Sequence, residues 1–137
     1  MSALPGPGEH AAGEPDSLFA YGTLRFAPVL DRLLGRCPAT TPVTLPGWRA
    51  ARLPGRVYPG LVRAPGGCAP GVLLTGLSVA ERVLLDAYEG DEYRLDTVEF
   101  GNTRAWVYIW TGAAEDADWS AEEFAARHLA DYLARWE

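Results

Sequence analysis

The chain has 137 residues, a length that fits one domain. Hydrophobic residues make up 48% and charged residues 22%, and the 11% aromatics include five tryptophans, which excludes a wholly disordered chain. Twelve basic residues, all arginine, stand against eighteen acidic ones, and the net charge of -6 excludes nonspecific attraction to nucleic acid or an anionic membrane.

No apolar run approaches the roughly 20 residues that span a bilayer. Residues 1–16 have neither a basic stretch followed by an apolar one nor any periodicity. They read as a flexible tail rather than a secretory signal, ahead of a single domain at 17–137. Cys37 and Cys68 are too few for a disulfide framework, so reduced thiols and a cytoplasmic setting are expected. With two cysteines and two histidines widely scattered, no metal site is expected.

Ser17 to Tyr21 reads as a short strand that stops at Gly22. Pro28 opens a helix whose Val29, Leu30, Leu33 and Leu34 follow helical spacing, with Gly35 as its stop. Two strands follow at about 43–52 and 56–62, separated by a turn at Pro54-Gly55. Residues 64–70 read as a turn-rich connection and Gly71–Leu77 as a further strand. Ser78 and Glu81 form a capping box, and Val79, Val83, Leu84 and Tyr88 line the expected buried face of a helix that ends before Gly90.

Strands at Tyr93–Phe100 and Arg104–Trp110 are joined by a Gly101-Asn102 hairpin turn. In the second, Trp106, Tyr108 and Trp110 alternate with Ala105, Val107 and Ile109, so both faces are apolar. The last helix is capped by Ser120 with Glu123 and stapled by Trp119 and Phe124. Its buried stripe is Phe124, Leu129, Tyr132, Leu133 and Trp136. The fold class is α+β: a single compact domain with a mixed, mostly antiparallel, barrel-like sheet and flanking helices.

Tyr21-Gly22-Thr23-Leu24 breaks a strand just before a helix and so exposes backbone N–H groups that suit a carboxylate or carbonyl oxygen. An ordinary strand-to-helix turn has the same composition. In Leu85–Tyr93, Glu89 falls at a helix C-terminus among Asp86, Asp91 and Glu92. The helix dipole, like charges and burial past Tyr88 and Tyr93 would each raise its pKa toward that of a general base near neutral pH. A solvated acidic turn is the alternative.

Gly55-Arg56-Val57-Tyr58-Pro59-Gly60 reads equally as an edge strand or a pocket wall. His10 lies in the tail, His128 borders the last helix's apolar stripe, and Cys37 has no histidine near it in sequence. The Trp106-Tyr108-Trp110 ladder reads as sheet core.

Three segments together resemble one family. Leu18–Leu24 is similar to the N-terminal strand and Y-G-[ST]-L loop of the γ-glutamylcyclotransferase-like proteins. Gly55–Pro59 resembles their G-R-x-Y-P strand, and Leu85–Gly90 with Tyr93 and Val98 their L-D-x-x-E-G…Y…V segment. The resemblance is nearest to the branch called avirulence-induced-gene-2-like. It implies a compact mixed barrel that closes γ-glutamyl amides to 5-oxoproline and a free amine, with no cofactor.

By that resemblance Glu89 is the catalytic base and acid. Tyr21, Gly22, Thr23, Leu24, Tyr58 and Tyr93 are expected to bind the substrate, a small γ-glutamyl compound, and a monomer or weak homodimer is expected. Relatives often place an arginine two residues after the tyrosine matching Tyr93; here that position is Leu95 and the arginine is Arg94. A one-residue shift along a strand moves a side chain to the other face. A non-catalytic ligand-binding protein with the same fold is the alternative.

Overall fold

Leu18–Ala20 forms β1, a strand of three buried residues at the centre of the sheet. The computed structural model describes residues 16–100 and 102–135; residues 1–15 with His10, Gly101 of the hairpin turn, and Trp136 lie outside them. β1 runs antiparallel to β3 (Gly60–Thr75) and parallel to β5 (Thr103–Trp110). The other strands are β2 (Ala39–Ala51) and β4 (Tyr93–Phe100), and the sheet order is β2-β3-β1-β5-β4. Because β1 is so short, β3 and β5 meet directly beyond its end, at Leu61 opposite Ile109. Among the described residues, four α-helices flank the sheet: α1 (Ala27–Leu34), α2 (Val79–Glu89), α3 (Ala121–Arg127) and α4 (Leu129–Ala134). The fold is the expected α+β class.

Strand alternation divides the core in two. Phe19, Tyr21, Leu45, Leu61, Leu73, Ala105, Val107 and Ile109 form one cluster that contains no helix residue. A sheet can bury such a face only by curling on itself, which gives the barrel-like form. Leu18, Ala20, Leu74 and Tyr108 point the other way, where Leu24, Val29, Leu30 and Leu85 cover them. Both faces of β5 are therefore apolar for a packing reason, as its pattern indicated.

Three expectations are corrected. The strands expected at 56–62 and 71–77 are parts of one strand, β3, and residues 56–59 precede it. The expected connection at 64–70 is a bulge within it: pairing steps from Pro46–Cys68 to Trp48–Arg63, leaving four residues of β3 opposite Gly47. Gly66, at φ +81°, supplies the turn conformation that was legible, but it bends the strand without ending it.

On α2 the expected face holds at Tyr88 and fails at its other three positions. Val79, Val83 and Leu84 are 57%, 60% and 45% exposed, and Leu85 is the buried residue. The helix docks along Leu85 and the half-buried Tyr88 and Glu89, whose spacing is equally helical. The last helix breaks at His128 into α3 and α4. Its staple is present, with the Trp119 and Phe124 rings 5.7 Å apart. The Ser78–Glu81 capping box is complete in both directions.

Gly60 marks where the β3–β5 junction admits no side chain. A Cβ there would lie 2.5 Å from Cβ and 2.6 Å from Cγ of Trp110. Gly60→Ala is expected to cost about 1–3 kcal/mol, the usual penalty for overpacking. Urea unfolding checks this, and an unchanged midpoint would contradict it.

Candidate active site

The break after β1 directs the chain into a 3-10 turn, Thr23–Arg25, closed by the Arg25 N–H on the Gly22 carbonyl at 3.0 Å. In such a turn the N–H groups of Thr23 and Leu24 have no partner within the helix. Gly22 has an ordinary negative φ, so its glycine answers a lack of space: a Cβ would sit 3.0 Å from Cδ and Cγ of Pro59. The loop after β1 thus lies against the segment that leads into β3. From the opposite side, α2 ends at Glu89 because Gly90 takes φ +79°, and β4 then starts at Tyr93.

These pieces enclose a cavity of about 120 Å³, room for a few waters or a small ligand. The lining includes Tyr21, Gly22, Thr23, Leu24, Tyr58, Tyr93 and Glu89, so the structure brings together every site residue singled out in the sequence. It adds Phe19, Ala20 and Pro59, Tyr88, past which Glu89 was expected to be buried, and two tyrosines expected in the core, Tyr108 and Tyr132. All six tyrosines of the chain line this one cavity. The signal that marks them is chemical: a buried phenol needs a partner for its hydroxyl, which a purely apolar stripe does not offer.

Burial pushes the Glu89 carboxyl up to about 8, and the Asp86 carboxylate three residues earlier on α2 adds to the shift. The expected contributions of Asp91 and Glu92 are corrected, since neither acts on Glu89. Glu92 turns instead to Arg56, 2.5 Å away. That guanidinium also lies over the Trp110 ring, 5.0 Å from its centroid. Leading the causes is desolvation, as expected of a carboxyl in an apolar and phenolic enclosure.

The phenols around Glu89 are held by fixed partners. Tyr21 donates to the Tyr108 carbonyl at 2.5 Å and accepts from the Leu61 N–H at 3.2 Å, tying β1 to both strands at their junction. Tyr93 donates to the Pro59 carbonyl at 2.8 Å, and Tyr108 donates to Asp86 Oδ1 at 2.5 Å. Thr23 Oγ1 meets the Tyr88 hydroxyl at 2.8 Å, and Tyr88 in turn meets Tyr132. Burial raises the pKa of Tyr21, Tyr88, Tyr93 and Tyr108, and the nearby Glu89 raises each further.

Arg94 does not reach the cavity. Its exposed guanidinium faces Asp96 at 3.6 Å, and Leu95 is also exposed. The cavity lining contains no arginine. Cys37 and Cys68 are unbridged and exposed. Among the described residues, no group of His, Cys, Asp or Glu side chains could hold a metal, and no helix is long and apolar enough to cross a membrane.

Comparison with known proteins places the chain among relatives of one family. A family model described as gamma-glutamyl cyclotransferase, AIG2-like, matches residues 18–126. AIG2-like protein A of Arabidopsis thaliana is 32% identical over 126 residues, covering 85% of this chain and 76% of that protein. AIG2-like protein D of the same plant is 31% identical over 128 residues, covering 85% and 84%. A solution structure of an Arabidopsis thaliana protein superposes with a TM-score of 0.65 at 31% identity, covering 88% of this chain and 87% of that one. A structure named gamma-glutamyl cyclotransferase gives 0.61 at 16% identity, covering 90% and 86%, which shows a shared fold.

Proposed function

From a chain that belongs to the AIG2-like gamma-glutamyl cyclotransferase family, we propose an enzyme that converts a γ-glutamyl amine or peptide to 5-oxoproline and the free amine. The α-amine of the substrate attacks its own side-chain carbonyl carbon. A five-membered lactam forms, the amide C–N bond breaks, and the departing nitrogen takes up a proton. Water is not consumed, and the original carbonyl oxygen is kept as the lactam carbonyl oxygen.

Glu89 carries this reading. The attacking amine must first lose a proton and the leaving amine must gain one. A carboxyl held near pH 8 serves both steps better than an ordinary glutamate near pH 4.3 does. The N–H groups of Thr23 and Leu24 would hold the glutamyl end or the developing oxyanion. A donor so placed is worth about 3–4 kcal/mol. Folding the tethered amine against the carbonyl is the other contribution, and a small cavity favours it.

Incubating the protein with several γ-glutamyl amides and measuring 5-oxoproline tests the proposal and identifies the leaving group. Binding of these compounds without turnover would instead support a non-catalytic ligand-binding protein. A second test addresses the loop. Gly22→Val forces a side chain into the Pro59 ring, which shifts the N–H groups of the turn. It is expected to weaken binding of a γ-glutamyl analogue at least about tenfold, the worth of a charge-assisted hydrogen bond. Melting temperature should fall only modestly; equal loss of both would make the glycine a packing element alone.

A further inference from the structure

A tyrosine hydroxyl has one proton to donate and lone pairs to accept with. Where that proton is already committed, the oxygen faces a ligand only as an acceptor. Tyr108 is in this state: its proton goes to Asp86 Oδ1 at 2.5 Å, while the residue lines the cavity that holds Glu89. Tyr93 is in the same state, with its proton on the Pro59 carbonyl at 2.8 Å. Beside them stands the Glu89 carboxyl, itself an acceptor once ionised. A cavity lined by these acceptors and by no arginine complements a cation that donates hydrogen bonds.

We propose that Tyr108 is a substrate-binding residue whose phenol oxygen accepts a hydrogen bond from the substrate's α-ammonium, and that Asp86 is the positioning residue that makes it an acceptor by taking its proton. The proposal rests on the cyclisation reading and deepens it. Three acceptors, Glu89, Tyr93 and Tyr108, match the three protons of an ammonium group. Glu89 alone among them can remove one, so the phenol oxygens hold the nitrogen while the proton moves. Arg82 acts on the Tyr108 phenol from outside the cavity, where its guanidinium lies 4.8 Å from the Trp106 ring centroid.

The assignment is separable from a packing role by a pair of ligands. One is a γ-glutamyl methylamide; the other is its deamino analogue, glutaric acid monomethylamide, which lacks only the ammonium. Calorimetry in a Glu89→Gln background measures both without turnover. Tyr108→Phe is expected to weaken the ammonium-bearing ligand at least about tenfold. The deamino analogue should stay within about twofold, with an unchanged melting curve as the check on folding.

Asp86→Leu leaves the Tyr108 proton free to turn toward the ligand, so it should cause the same selective loss. Asp86→Asn keeps a carbonyl oxygen for that proton and should restore most of the affinity. Equal weakening of both ligands by Tyr108→Phe in a folded protein, or of neither, would overturn the proposal. So would an Asp86→Asn variant as impaired as Asp86→Leu. These outcomes differ from failure of the cyclisation reading, which would appear as absence of 5-oxoproline with the otherwise unaltered enzyme.

Discussion

Replacing Glu89 by glutamine is expected to lower kcat by about 10²–10⁴-fold, the usual worth of a general base. The amide matches the carboxyl in shape, so the cavity and its phenol partners should keep their places. What it cannot do is take a proton from the α-ammonium or return one to the leaving amine. Substrate affinity is expected to change far less than kcat, because the loop after β1 and the aromatic walls are untouched. Retention of more than about a hundredth of the wild-type kcat would contradict a proton-transfer role for Glu89.

The same substitution is expected to alter how stability depends on pH. The folded-state pKa of Glu89, about 8, lies above its value of about 4.3 in an unfolded chain. The stability contributed by the protonated carboxyl is therefore complete below about pH 4.3. It is lost as pH rises through about 8, where the charge must form inside the cavity. Each pKa unit corresponds to about 1.4 kcal/mol for a fully enclosed group, and less for a residue that is half-buried as a whole.

Glutamine does not ionise. Between pH 5 and pH 9 the Glu89→Gln variant should therefore gain about 2 kcal/mol or more on the wild type. Parallel denaturant titrations would show the difference opening across that window, and parallel curves would contradict the raised pKa. In kinetics, the rising limb of kcat/KM should lie near pH 8. Asp86→Asn should move it to lower pH, because one source of repulsion is removed. Glu92→Gln should leave it in place, since that carboxylate is engaged with Arg56.

Much of this architecture was legible in the sequence because it rests on local rules. The complete capping box at Ser78 and the stop at Gly90 follow from side-chain and backbone hydrogen bonding within a few residues. Alternation along β5 announced two buried faces, and the structure has a separate core on each. Residues that share the cavity from distant parts of the chain were gathered through the resemblance of three segments, since no periodicity brings Gly22 beside Pro59.

What escaped depends on tertiary contacts. Gly66 has the conformation of a turn whether the strand ends there or bulges, and only pairing with β2 decides between them. On α2 two helical stripes were available, and the more apolar one, with Val79, Val83 and Leu84, faces outward. Tyr108 and Tyr132 look like core residues in one dimension, because their hydroxyl partners come from other elements. The clustering of acidic residues around Glu89 in sequence likewise did not reveal that Arg56, far away in the chain, would engage Glu92.

Product analysis in isotopically labelled water tests the central claim most directly. Intramolecular attack by the α-amine requires 5-oxoproline equimolar with the released amine, carrying no oxygen-18 when the reaction runs in ¹⁸O-water. Glu89→Gln should suppress both products together. Formation of glutamate carrying one oxygen-18 would show that water, not the substrate's own amine, attacks the carbonyl, and would contradict the cyclisation outright.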